Sequence, residues 1–210
     1  MSIKITTLVE NSVYGKGLQG EHGLSLLVDT GEHRLLFDTG ASDLFIRNAR
    51  ILGIDLKEVD FLVLSHGHRD HTGGLHHFLA VNDKAQVVCK RELFQPKFKD
   101  ERENGVMQPD ALDSTRFRFV DEVTELCRSV FVFPQLPVTD EEDTHFEHFF
   151  TWAEGRKQAD TFTDELALVL KQGAEVSVLS ACSHRGITNI IRAVQEYFPQ
   201  TSLKLVLGGF

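Results

Sequence analysis

The stretch Phe61-Leu62-Val63-Leu64-Ser65-His66-Gly67-His68-Arg69-Asp70-His71-Thr72-Gly73-Gly74-Leu75 joins an apolar run directly to a dense set of metal-ligand side chains. Its first four residues are continuously apolar, as in a strand covered on both faces. Three histidines and an aspartate follow within six residues. On an extended chain residues i and i+2 point the same way, so His66 and His68 can grip one ion together. A turn at Arg69-Asp70 would bring Asp70 and His71 round to a second ion. Imidazole and carboxylate donors suit zinc, iron (Fe2+) or manganese (Mn2+), with Zn2+ the default for a nitrogen-rich site. Two such ions about 3.5–4 Å apart share a bridging water and lower its pKa towards about 7, which supplies hydroxide at neutral pH. A lone histidine is usually structural or a solvated surface residue. A set this dense, flanked by glycines and launched from a strand, is poorly explained that way.

Upstream, short apolar runs alternate with turn residues. Ile3 to Val9, Leu24 to Val28 and Arg34 to Phe37 read as strands, separated by Asp29-Thr30-Gly31-Glu32 and closed by Asp38-Thr39-Gly40. Ala41 to Leu52 has helical spacing, Gly73-Gly74-Leu75 opens a helix to about Ala80, and Gln86 to Cys89 is a further strand. From Lys90 to Asp164 periodicity weakens and charge rises, with KFKDEREN and TDEEDTHFEH. Too rich in phenylalanine for plain disorder, this part reads as an insertion or cap with a few short strands such as Val130 to Phe133. Regular rhythm returns with strands at Leu166–Leu170, Val176–Leu179 and Leu203–Leu207 and a helix over Ile187–Tyr197. The expectation is one α/β domain over residues 1–210.

Composition narrows the function classes. At 210 residues and 41% hydrophobic content the chain can bury a core without disulfides. A net charge of -9 with no Lys/Arg cluster argues against a nucleic-acid partner, which needs concentrated positive charge. Bound metal would offset acidity locally, so an anionic substrate stays open. Cys89, Cys127 and Cys182 are odd in number and form no CxxC pair, the pattern of reduced thiols in the cytoplasm. The first residues lack the apolar core of a signal peptide, and no apolar run approaches the roughly 18 residues of a membrane span. His145 and His148, in the acidic, phenylalanine-bearing segment, are candidates to line a substrate cap. His76 and His77 follow the motif on its helix, with solvent the simpler destination. Oligomeric state is left open.

SHGHRDHTGGL resembles in full the HxHxDH signature of the metallo-β-lactamase superfamily. Leu35-Leu36-Phe37-Asp38-Thr39-Gly40 resembles its early "FDTG" strand end, and Ser180-Ala181-Cys182-Ser183-His184 the strand end that supplies a third histidine. The resemblance implies a four-layer αββα sandwich, with His66, His68 and His184 on a first metal and Asp70, also the catalytic candidate, with His71 on a second. It makes Asp38 the residue that orders the histidine loop behind the ligands. The rival reading of Asp38 is an ordinary turn former, and of His184 a plain loop histidine.

A narrower resemblance lies in His22-Gly23-Leu24-Ser25, in DELALVL (164–170), in ACSHRGITNII (181–191) and in the terminal GlyGlyPhe. These are similar to the subgroup of the archaeal dihydropterin–ribofuranosylaminobenzene phosphate synthase. They bring His22 and Glu165 towards the site as substrate-binding candidates, with surface or turn roles as the alternative. That subgroup continues with a histidine directly after GGF and later with an HCTG-like segment. This sequence ends before either, so a shortened chain with a weak or absent second metal is expected.

The resemblance implies an enzyme acting on a small molecule, by hydrolysis with metal-bound hydroxide or by displacing pyrophosphate from a pterin methyl diphosphate. The phenylalanine-rich segment would suit a flat pterin and would equally suit ordinary packing. The alternatives are a non-catalytic, degenerate metal-binding protein and, behind it, a nucleic-acid phosphodiesterase. A redox role ranks low, because the motif histidines are intact and no flavin domain is present.

Overall fold

β1 (Lys4–Val9), β2 (Ser25–Asp29) and β3 (Arg34–Phe37) run antiparallel, and β4 (Phe61–Val63) and β5 (Gln86–Cys89) extend the sheet parallel to β3. Parallel strands are normally covered on both faces, and the composition agrees: Leu35, Leu36, Phe37, Leu62, Val63, Val87 and Val88 are all sealed from solvent. The computed structural model describes residues 3–108, 112–153 and 155–210. They fall into two units, Met1–Cys89 with Gly105–Arg118, and Lys90–Asn104 with Phe119–Phe210.

In the first unit α1 (Leu44–Ile51) buries Leu44, Phe45, Ile46 and Ala49. The expected helix from Ala41 starts three residues late. The backbone N–H groups of Ala41 and Ser42 donate instead to the Glu21 carboxylate, at 3.0 and 3.1 Å. The helix ends where Gly53, at φ +69, takes the left-handed conformation that glycine adopts without strain. The histidine run then folds into a single turn, α2 (Arg69–Thr72), followed by α3 (Leu75–Val81).

The stretch from 90 to 164 supplies strands to three sheets. β8 (Phe117–Phe119) joins the first sheet in the order β1-β2-β3-β4-β5-β8. β9 (Thr124–Cys127) and β10 (Val130–Phe133) join a second, and β6 (Lys97–Lys99), β7 (Arg102–Glu103), β11 (Phe149–Ala153) and β12 (Arg156–Ala159) form a third. Charge is tolerated in that third sheet because cations lie over aromatic rings. Phe98 pairs with Phe150, and Lys157 Nζ sits 5.3 and 4.9 Å from their ring centres.

The second sheet has the order β15-β14-β13-β10-β9. Its other members are β13 (Ala167–Gln172), β14 (Glu175–Ser180) and, parallel to β14, β15 (Ser202–Gly208). α4 (Ile187–Tyr197) covers it, burying Ile190 and Val194 with Phe133, Ala167, Val169, Val176 and Val178. Each fully buried aliphatic side chain of this kind contributes about 1.5–3 kcal/mol. No helix among the described residues is long and apolar enough to cross a membrane.

Candidate metal centre

The motif is built by a strand that stops and a helix that starts. Beyond β4, Leu64 N still donates to Val88 O at 3.0 Å, after which the chain leaves the sheet. His68 keeps an extended backbone as the residue before α2, and its carbonyl accepts from His71 N, Thr72 N and Thr72 Oγ. The i, i+2 expectation holds: the His66 and His68 rings lie 4.8 Å apart, and α2 brings His71 to 4.4 Å from His66. All three are buried.

Asp38 organises this group. It sits at φ +60, in the left-handed region that aspartate tolerates better than most residues. Its Oδ1 accepts from Ser65 N at 2.7 Å, and its Oδ2 accepts from Ser65 Oγ at 2.6 Å and from His71 Nδ1 at 2.8 Å. Ser65 has one proton, and it goes to the carboxylate. Ser65 Oγ therefore accepts from His66 Nδ1, 2.9 Å away. One buried carboxylate thus fixes the tautomer of two imidazoles, leaving Nε2 of each as the basic nitrogen. Sequence reading singled out Asp38 but missed Ser65 as the relay, although Ser65 stands in the motif itself.

Asp70 lies beside His71 Nε2 at 3.2 Å. Burial pushes its carboxyl up, but the hydrogen bond and charge that His71 offers when doubly protonated, with the charge of a protonated His68, hold it well below the usual carboxylate range. His22 reaches the same carboxylate at 3.4 Å while its other nitrogen meets Asn11 Oδ1 at 3.1 Å. Its side chain is 82% exposed, so this contact is open to water. His76 Nε2 donates to Met107 O at 2.8 Å, and His77 is exposed.

Gly23 was missed as a determinant. It has φ +133, and a Cβ there would stand 2.1 Å from the backbone oxygen of Asp70. Gly23→Ala is expected to cost about 1–3 kcal/mol, the usual range for overpacking. Gly31→Ala, at φ +84 with open space, isolates the backbone strain alone. Urea melts compare them, and equal losses would show that the contact with Asp70 carries no weight.

In the second unit His184 follows β14 in a loop fastened by Ser183, whose Oγ lies 2.8 Å from Ser180 Oγ and donates to Gly209 O. Glu165 is buried beneath it, with Oε1 accepting from His184 N at 2.8 Å and Oε2 from Arg185 N at 2.7 Å. Burial pushes the Glu165 carboxyl up to about 7 against these two bonds. His184 Nδ1 donates to His145 O at 3.1 Å, which again leaves Nε2 as the basic nitrogen. The Phe162 ring stacks on His184, 3.8 Å between centres. Nothing in the spacing of DTFTDEL signals that contact. His145 thus meets His184 through its carbonyl, and His148 is exposed and paired with Asp100 at 3.0 Å. Glu165 and Arg185 also line an open cavity of about 670 Å3 with Lys90, Phe133, Leu136 and Tyr197. No disulfide links the three cysteines.

Buried imidazoles with assigned tautomers beside an ionised carboxylate, in a mixed α/β chain of several sheets and few helices, have the donor chemistry of a metalloprotein. Residues 18–163 match the metallo-beta-lactamase superfamily, and the chain belongs to that superfamily. It is 28% identical, over its whole length and 77% of the relative, to 7,8-dihydropterin-6-methyl-4-(beta-D-ribofuranosyl)-aminobenzene-5'-phosphate synthase of Methanocaldococcus jannaschii. An uncharacterized protein of the same organism is 29% identical over 98% of this chain and 78% of its own. Among solved structures, a metal-dependent hydrolase of the beta-lactamase superfamily matches with TM-score 0.84 and 34% identity, covering all of this chain and 77% of that one. The metallo-beta-lactamase MIM-1 of Novosphingobium pentaromativorans shares the fold at TM-score 0.54 and 18% identity, over 88% of this chain and 69% of that one.

Proposed function

We propose that this chain is a zinc-dependent enzyme acting on a small, anionic substrate. His66, His68 and His184 would hold one ion through Nε2, and Asp70 and His71 would serve a second. The observation that carries this reading is the Asp38–Ser65–His66 and Asp38–His71 relay. Holding both Nδ1 protons from behind leaves Nε2 of each buried imidazole as a lone-pair donor, the preparation that a metal-ligating histidine receives. His184, held from behind by His145 O and Glu165, has the same preparation.

When bound, such ions supply hydroxide at neutral pH and a positive charge for the developing oxyanion. The chain's own part is to present ionised Asp70 beside the histidines and to keep Nε2 of each histidine basic. Manganese and ferrous iron fit the same nitrogen and oxygen donors. The synthase relative favours a flat aromatic substrate such as a pterin. The cavity walled by Phe133, Leu136 and Tyr197, with the cations Lys90 and Arg185, is consistent with such a ligand. The three thiols suit the cytoplasm.

Metal analysis of the purified chain is expected to find a divalent ion at stoichiometric amount. Dialysis against a chelator should abolish turnover in a screen of phosphodiesters, lactones, thioesters and pterin diphosphates, and zinc should restore it. Turnover that persists unchanged after the metal is removed would sink the reading.

A further inference from the structure

We infer that Lys97 is a positioning residue for His184, acting through the turn of residues 160–165; this rests on the proposed role of His184 as a metal ligand. Lys97 opens β6 and is wholly buried, as are its two partners. Its Nζ donates to Asp160 Oδ2 at 2.8 Å and to Asp164 Oδ1 at 2.7 Å. Register holds Lys97 opposite Thr151, so the ammonium is anchored to the third sheet while the two carboxylates belong to the turn.

What lies between those two carboxylates is the cradle of His184. Asp160 Oδ1 accepts from Phe162 N at 2.8 Å and helps hold Phe162 at φ +51, a conformation rare for an aromatic residue. Phe162 O in turn accepts from Glu165 N at 3.0 Å. The Phe162 ring lies 13° from the plane of the His184 ring, and Phe149 stands edge-on to both, at 5.4 and 5.0 Å. Glu165, the next residue after Asp164, takes the His184 backbone N–H. The turn therefore sets both the ring plane and the backbone position of His184, and Lys97 ties its two ends together.

Stability alone does not explain this arrangement. A buried ion pair is often no more stable than an apolar set of the same volume. Burial lowers the affinity of Lys97 for its proton, yet Asp164 and Asp160 together raise it above the ordinary value, so the ammonium stays charged. What a fixed charge between two carboxylates supplies is geometry at both ends of a short turn.

The test measures zinc affinity of the full chain by competition with a chromophoric chelator. Lys97→Met is expected to bind zinc about 10–100-fold more weakly, the usual cost of losing a group that orients a ligand. The cobalt form should show an altered visible spectrum, and Lys97→Arg should recover much of both. Val194→Ala, in the core under α4, removes stability without touching the turn and is expected to leave affinity unchanged. Should Lys97→Met fail to fold, Asp160→Asn keeps the size and the Phe162 contact and weakens only the tie to Lys97; it is expected to lose affinity in the same direction. Full affinity in Lys97→Met, or in Asp160→Asn if the former does not fold, overturns the inference. So does an equal loss in Val194→Ala. His184→Ala separates the two levels: if it also binds zinc at full strength, the metal reading itself has failed. If His184→Ala alone loses affinity, only the role of Lys97 has.

Discussion

His68→Ala is expected to fold and to bind zinc at least about 100-fold more weakly than the parent chain. Orienting groups behind a ligand already cost about 10–100-fold when removed, and a ligand should cost more. The fold should survive because the structural work of His68 is done by its backbone. Its carbonyl accepts from His71 N, Thr72 N and Thr72 Oγ, and alanine keeps that carbonyl in place. Heat makes the difference visible. Zinc present at about 100 times its dissociation constant stabilises the parent by about 2.7 kcal/mol. For a chain of this size that is roughly 5–11 °C in melting temperature. The shift should shrink to about 2 °C or less in His68→Ala and stay intact in His77→Ala, whose side chain is exposed on α3. Turnover should follow the same division. If both variants lost the zinc-dependent shift equally, the motif would be acting as ordinary structure.

Much of this was legible in the sequence because the relevant signals are local. Apolar runs bounded by turn residues gave the strands from β1 to β5, and apolar spacing placed α4 over Ile187–Tyr197, as observed. The histidine run declared itself by density. Its i, i+2 spacing implies neighbouring rings, and the His66 and His68 rings do lie 4.8 Å apart, although the chain has by then left β4. The strands of residues 90–164 were mostly hidden, since β6, β7 and β12 are short and charged and their stabilisation comes from partners far along the chain. Phe98 meets Phe150 and Lys157, and neither the KFK of β6 nor the RKQA of β12 has an apolar neighbour pattern that announces a strand.

The same division between local and distant separates the candidate site residues. His66, His68, Asp70 and His71 are adjacent in sequence and recognisable as a group. Ser65 was in view but its function was not, because its meaning depends on Asp38, which arrives from β3. Phe162, Lys97, Asp160 and Asp164 were invisible for a related reason. A buried lysine looks like any surface lysine until the chain brings two carboxylates to it. Gly23 sat in a stretch already noted for its resemblance, yet only the Asp70 carbonyl beside it explains why a side chain is excluded.

Asp38→Asn separates charge and proton direction from shape, and its expected effect is nearly as large as that of removing a ligand. The substitution keeps the volume, and asparagine tolerates the left-handed backbone at φ +60 as aspartate does. Oδ1 can still accept from Ser65 N. The other side of the group, however, becomes an NH2 that can only donate. It now faces Ser65 Oγ and His71 Nδ1, which in the parent both donate to Oδ2. To accept the new donor, His71 must move its proton from Nδ1 to Nε2. Ser65 Oγ, relieved of its acceptor, turns its own proton towards His66 Nδ1, which drives the His66 proton to Nε2 as well. Both imidazoles then present N–H where a metal needs a lone pair. Zinc affinity is therefore expected to fall by about 100-fold, the upper end of the range for orienting groups. The melting temperature without metal should change little. Asp38→Ala is the contrasting case, since it strips three buried donors of their acceptor and should cost about 3–5 kcal/mol of stability in addition. Nitrogen chemical shifts of the His66 and His71 rings report the tautomers directly. An Asp38→Asn chain that keeps both rings protonated at Nδ1 and binds zinc like the parent would break the link between this carboxylate and the metal site.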